Sequence, residues 1–201
     1  MKTYLTSLLF LITFWGLAIN PTDKNATKET LNLYKNLVEL QKEKMMYGHQ
    51  DDLAYGLDWW NIKGKSDTKD VCGDYPAVYG WEIGHLELGD ERSLDSVKFE
   101  NIKNWIIEVY ERGGINTISW HLRNPYTGGS SWDVSSKKVV ASILPGGEKH
   151  KLYVSWLDIL ANYFNELKTK DGVYVPVIFR PFHEHTGSWF WWGKNLCAPE
   201  D

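Results

Sequence analysis

Cysteine is almost absent from this chain of 201 residues: only Cys72 and Cys197 occur, too few for a disulfide framework. Cys72 precedes one predicted strand and Cys197 follows another. In parallel neighbours those positions lie at opposite ends of a sheet, beyond bridging distance, so no disulfide is expected. Excess positive charge is lacking too. The 22 Lys and Arg against 26 Asp and Glu leave a formal net charge of −4, which excludes a phosphate-backbone partner, since nucleic acid calls for a basic face. Gly64-Lys65-Ser66 lacks the glycine five residues upstream that a phosphate loop needs, because Trp59 stands there. There is no His-Glu-x-x-His pattern, no His-x-His pair on the first predicted strand, no internal repeat and no low-complexity tract. Neither a metal nor any other cofactor is expected.

What the chain has in abundance is aromatic side chains. Eleven Trp and eleven Tyr exceed the needs of an ordinary core, and flat amphipathic rings suit the C–H faces of sugars. A neutral polysaccharide therefore fits the composition better than any charged polymer. Met1-Lys2 and the apolar run Leu5–Ala18 have the form of a secretory signal peptide over residues 1–18. The mature chain is then expected to start near Ile19 or Asn20 and to be secreted or periplasmic. With no cysteine at the cut, no membrane anchor is expected after leader removal. Residues 19–201 read as one domain.

Helical spacing appears over Lys28–Lys42 (Leu31, Tyr34, Leu37, Val38, Leu40), from an Asp95 or Ser96 cap to Arg112 (Ile102, Trp105, Ile106, Val109, Tyr110), and over Leu152–Lys168 (Trp156, Leu157, Leu160, Phe164, Leu167). Ser66 is expected to cap a short helix ending at Gly73. Strands are predicted at Met45–Tyr47, Pro76–Trp81, Ile115–Trp120 and Val173–Phe179, the last paired only from about Val177 because Pro176 has no N–H to donate. Four strand–helix alternations with long connections imply a parallel α/β fold. An open sheet is the alternative to a barrel. The polar residues at all four strand ends, His49, His85, His121 and His183 with Glu184, favour the barrel, whose chemistry sits at that edge.

The densest constellation is Arg180–Gly193, RPFHEHTGSWFWWG. A carboxyl group edged by imidazoles suits a general acid, and Trp189 supplies an indole beside it. Strand alternation would put Arg180 on the face of Glu184, with its guanidinium on a neighbouring carboxylate. Trp59, Trp60 and Trp132, with His49 and His85, are candidate cleft walls; Asp74 and Glu82 read as structural. The histidines also invite a zinc-hydrolase reading, but His183 and His185 alternate with Glu184 in a turn where the three do not converge on one ion. A carbohydrate-binding module is the rival from another class, though such modules are usually β-sandwiches.

Three further segments occur in order with that stretch: YGHQDDLAYG (47–56), DVCGDYPAVYGWEIGHLELG (70–89) and GGINTISWHLRNP (113–125). Together the four resemble glycoside hydrolase family 26, best known for endo-β-1,4-mannanases. The resemblance implies a (β/α)8 TIM barrel, of which about the first four βα units are present. It implies a retaining mechanism with Glu184 as acid/base, and His121, His183, Arg180 and Trp189 as substrate-binding residues. The family's nucleophile Glu ends strand 7, so the resemblance places it outside this chain, which is expected to be a fragment truncated before strands 5–8. The implied partner is β-mannan or a related neutral polysaccharide. Activity on another β-glycan and a non-catalytic glycan-binding remnant are the alternatives.

Overall fold

The computed structural model of the chain describes residues 21–197; the predicted leader lies outside them. In chain order the elements are α1 (Lys28–Leu40), β1 (Gly48–Gln50), β2 (Tyr55–Gly56), β3 (Trp59–Trp60), α2 (Asp67–Cys72), β4 (Val78–Glu82), α3 (Phe99–Glu111), β5 (Ile115–Trp120), α4 (Val139–Ile143), α5 (His150–Asn165) and β6 (Val177–Pro181). A single 3₁₀ turn, Leu86–Leu88, lies between β4 and α3. β1, β4, β5 and β6 form one parallel sheet in that order, and β2 and β3 pair antiparallel beside it. Consecutive parallel neighbours joined by helical crossovers are the repeating unit of an α/β barrel. Among the described residues no helix is long and apolar enough to cross a membrane.

The sheet has two unlike faces, fixed by the period of two along each strand. Tyr79, Trp81, Asn116, Ile118 and Trp120 point to the helices and are buried. Trp81 stacks on Trp105 of α3 at 6.0 Å and donates its indole N–H to Asn116, while Trp120 stacks on Tyr153 of α5. Full burial of a side chain of that size contributes about 1.5–3 kcal/mol, so these rings dominate the attachment of α3 and α5. The register sets Gln50, Gly80, Thr117 and Ile178 in one row on the other, concave face. The next row toward the strand ends is Glu82, Ser119 and Arg180.

Local signals act as the residues dictate at several ends. Ser66 accepts the N–H of Lys69, and Gly73 closes α2 in the left-handed region; β6 pairs from Val177, directly after Pro176. Elsewhere the structure corrects the expectation. The first strand is Gly48–Gln50, not Met45–Tyr47, and Met45 is 97% exposed. α3 begins from Lys98 without a side-chain cap; Ser96, φ +64, belongs to the turn before it. α5 buries Trp156, Leu160 and Tyr163, while Leu157 faces outward. None of the residues of α1 is fully buried. Cys72 is an exposed free thiol, so it forms no bridge to Cys197.

Candidate active site

The site is built at the C-terminal ends of β4, β5 and β6 around one buried carboxylate. Glu82, 2% exposed, accepts four hydrogen bonds. Oε1 takes the backbone N–H of Gly84 at 2.6 Å and of His121 at 2.8 Å. Oε2 takes the hydroxyl of Ser119 at 2.6 Å and Nδ1–H of His121 at 2.8 Å. A charge so deep in the fold persists only when its lone pairs are met by donors, as they are here. The consequence is a fixed tautomer: with Nδ1 donating to Glu82, His121 turns Nε2 outward.

That Nε2 lies 3.1 Å from Nε2 of His183. Burial first, then the neighbouring His121, hold the His183 ring below its ordinary range and therefore neutral. With Nδ1 of His121 committed to Glu82, the two Nε2 atoms share one hydrogen bond. The two rings meet edge to face at 4.4 Å. Trp132 stacks on His121 at 5.2 Å and 9°, and Phe190 meets both rings edge to face at 5.1 and 5.3 Å. The loop that carries Trp132 is pinned as well. Glu87 accepts Nε1–H of Trp120 and the backbone N–H of Arg123, and buried Asn124 bridges Tyr126, Thr127 and Asp133.

After Pro181 the strand alternation stops. Phe182 and Glu184 both have positive φ, +49° and +55°, a region that costs a residue with a Cβ roughly 1–2 kcal/mol, and the chain turns away from the sheet. Glu184 lies exposed at that turn, and its Oε2 accepts the indole N–H of Trp189 at 2.8 Å. Trp189 is half exposed. The other aromatics of the run are core: Phe190, Trp191 and Trp192 are buried, and Trp192 donates to the carbonyl of His183. Indole and carboxyl are kept together by the absence of a side chain at residue 187, whose Cβ would fall inside the Trp189 ring. Gly187→Ala is thus expected to swing Trp189 off Glu184 with little change in stability. The indole N–H chemical shift of Trp189 set beside a thermal melt checks this.

The structure therefore brings His121, His183, Trp132 and Phe190 into one cluster, with Glu184 and Trp189 adjoining it through Phe190. It does not bring in the other predicted side chains. Arg180 is exposed on the concave row and has no hydrogen bond or ion pair to any carboxylate among the described residues. The alternation that should have aligned it with Glu184 ends at Pro181. His49 is in register with Tyr79, on the helix side, and bonds Gln50 and Asp52 rather than the site. His85, in the left-handed region, faces Asp90. Trp59 is buried and donates to Asp67, and Trp60 opens onto a cavity beside α3. The Asp74 carboxylate accepts the N–H of Tyr75 and its carbonyl the thiol of Cys72.

Asp51, just beyond the end of β1, is a further buried acid. Burial first, then Asp95, push its carboxyl up to about 7, and Asp95 is itself raised by burial and by Glu82. Among the described residues no group of three or more His, Cys, Asp or Glu side chains is arranged to hold a metal ion.

Residues 22–201 match the family model described as glycosyl hydrolase family 26. A mannan endo-1,4-beta-mannosidase from Bifidobacterium adolescentis is 35% identical over 92% of the chain and 19% of its own length. One from Bacillus subtilis is 28% identical over 91% of the chain and 50% of its own. A solved GH26 beta-mannanase from Bacteroides ovatus superposes with a TM-score of 0.85 at 51% identity, covering 87% of this chain and 51% of that one. A modular endo-beta-1,4-mannanase from Cellulomonas fimi gives 0.77 at 35% identity, over 87% and 40%. The chain spans about half the length of these relatives, or less. Its fold is that of the (β/α)8 TIM barrel, with about the first four βα units present. By its model match, its relatives and its parallel sheet alike, the chain belongs to glycosyl hydrolase family 26.

Proposed function

We propose that the protein containing this chain is a retaining, endo-acting β-glycosidase that cleaves β-1,4-mannosidic linkages in mannan-type polysaccharides, with Glu184 as acid/base. The observation that carries this reading is the exposed Glu184 carboxyl, held on one oxygen by Trp189 beside the Glu82–His121–His183 chain of hydrogen bonds. With Oε2 occupied by the indole N–H, Oε1 is the oxygen that faces substrate. It donates its proton to the departing glycosidic oxygen, then recovers it from the water that resolves the glycosyl-enzyme. Oriented imidazoles and a half-exposed indole supply what an uncharged sugar needs, polar groups of fixed direction and an apolar face. No cofactor enters the reaction.

A retaining enzyme needs a second carboxylate about 5–5.5 Å from the first, as nucleophile. Trp189 is the only described side chain bonded to Glu184, and the nucleophile in this reading is supplied by polypeptide beyond residue 201. Residues 1–18 act as an export signal in the same reading, and a polymer too large to enter a cell is met outside it. The test is to digest soluble mannan with the 201-residue chain and with an extended polypeptide, and to follow the anomeric protons of fresh products by NMR. The extended protein should release β-anomers first, and the short chain should release nothing. An α-first product, robust hydrolysis by the short chain, or an inactive extended protein would overturn the reading.

A further inference from the structure

On the helix side of the sheet, a second cavity has the chemistry of a sugar site. Trp60 ends β3 of the β2–β3 hairpin and stacks on its partner Tyr55 with centroids 5.1 Å apart and planes within 9°. That covers one indole face, yet the residue is 50% exposed, so its other face is open. It borders a cavity of about 260 Å³ lined also by Asn61, Arg92, Lys98, Asn101 and Trp105. Drug-sized ligands occupy roughly 300–1,000 Å³, so this volume suits one or two monosaccharide units.

The polar groups in the cavity are oriented before any ligand arrives. Asn61 Oδ1 accepts from Asn101 Nδ2 at 3.3 Å, which fixes both amides and leaves Asn61 Nδ2 as donor and Asn101 Oδ1 as acceptor side by side. A donor next to an acceptor is the complement of two vicinal hydroxyls. Asn61 is held there by its left-handed backbone, φ +51, and by its N–H on the carbonyl of Ala54. Arg92 is partly spent on the carbonyl of Ser96, and Lys98 also borders the cavity. Trp105 belongs to α3 and stacks on Trp81 on the helix side of β4, whereas Glu82 and His121 lie on the concave side. None of the residues that line the cavity belongs to the Glu184 cluster.

We propose that this cavity is a second carbohydrate site, which holds pyranose units of a neutral polysaccharide outside the catalytic cleft, with Trp60 as platform and Asn61 and Asn101 as the hydroxyl-reading pair. The choice of mannan as polymer rests on the mannanase reading; the site itself does not. In the extended protein, affinity electrophoresis through gels containing soluble galactomannan should show dissociation constants raised about tenfold by Trp60→Ala and a few-fold by Asn61→Gly. Glycine accepts the left-handed backbone at 61, so the second variant keeps the fold if the first loses it. Hydrolysis of insoluble mannan should fall alongside binding, while kcat/KM on a short mannooligosaccharide stays unchanged in Asn61→Gly and Asn101→Ala.

Unchanged retardation in the variants, or a parallel fall on the short substrate, would overturn the proposal, the latter by placing the cavity in the catalytic cleft. Tighter retention by polygalacturonate than by galactomannan would overturn it in favour of an anion site. Should the wild type fail to cleave mannan, gels of xylan and mixed-linkage β-glucan decide separately. Variant-sensitive retention in one of them supports the site while the mannanase reading falls, and no retention by any gel overturns the site.

Discussion

Replacing Glu184 by Gln in the extended protein should lower turnover of mannan by about 10²–10⁴-fold, the usual worth of a positioned general acid–base. The substitution is nearly isosteric, and its carbonyl can still accept the indole N–H of Trp189, which now bonds Oε2 at 2.8 Å. Position is kept and the transferable proton is removed. The two halves of the reaction then separate. An aryl mannoside with a good leaving group needs no proton in the first step, so its cleavage should give a burst of phenolate close to the wild-type rate. The second step needs Glu184 as base, so turnover after the burst should be slow, and azide, which attacks without a base, should restore it. Equal losses on mannan and on the aryl substrate, with no burst and no azide rescue, would show that residue 184 only positions substrate and would remove the acid/base assignment.

The parallel architecture is legible in the sequence because each crossover helix carries a clear apolar stripe and each inner strand a run of buried residues. Ile102, Ile106 and Val109 on α3 are buried as their spacing demands. The first strand was not legible in the same way, for a physical reason. Its concave position is filled by Gln50 against Gly80, where any Cβ would collide with the Gln50 side chain. A strand whose filler is a polar side chain over a glycine has no hydrophobic pattern. The apolar residues just before it, Met45 to Tyr47, draw the prediction toward themselves although Met45 and Tyr47 are exposed. The cap of α3 fails similarly. Asp95 and Ser96 are good capping residues, but Ser96 is used in the turn closed by Ser93 and Val97, and the helix starts two residues later.

At the site, spacing within one segment reads well and contact between segments does not. Glu184 and Trp189 lie five residues apart, and the turn between them, closed by the N–H of Gly187 on the carbonyl of Glu184, joins them directly. The bond between His121 and His183 links two strands across 62 residues, and only the register of β5 with β6 delivers it. Arg180 shows the converse failure: alternation was extended past Pro181, where two left-handed residues end it. Glu82 read as structural, and it is buried. Its place directly opposite Ser119 in the β4–β5 register, two residues from His121, makes it the residue that orients His121.

That role makes Glu82→Gln the substitution with the next largest expected effect. Both carboxylate oxygens are saturated by donors, from Gly84, Ser119 and twice from His121. An amide can accept at one atom only, and its NH₂ must face donors at the other. Breaking a buried, fully bonded charge in this way costs about 3–5 kcal/mol, so a pronounced fall in thermal stability is expected. Ser119→Ala provides the control, since it removes one hydrogen bond worth about 1 kcal/mol and leaves the His121 contacts in place. Stability alone does not separate a positioning role from a merely structural one; the tautomer of His121 does. In the wild type its Nδ1 carries the proton that bonds Glu82, and ¹⁵N chemical shifts of the imidazole should report that arrangement. In Glu82→Gln measured well below its melting temperature, the Nδ1–H signature should be lost and mannan turnover should fall about 10²-fold or more. In Ser119→Ala both should stay near the wild type. Loss of activity with the His121 tautomer intact would mean that Glu82 serves the fold and that the imidazole pair is oriented by something else.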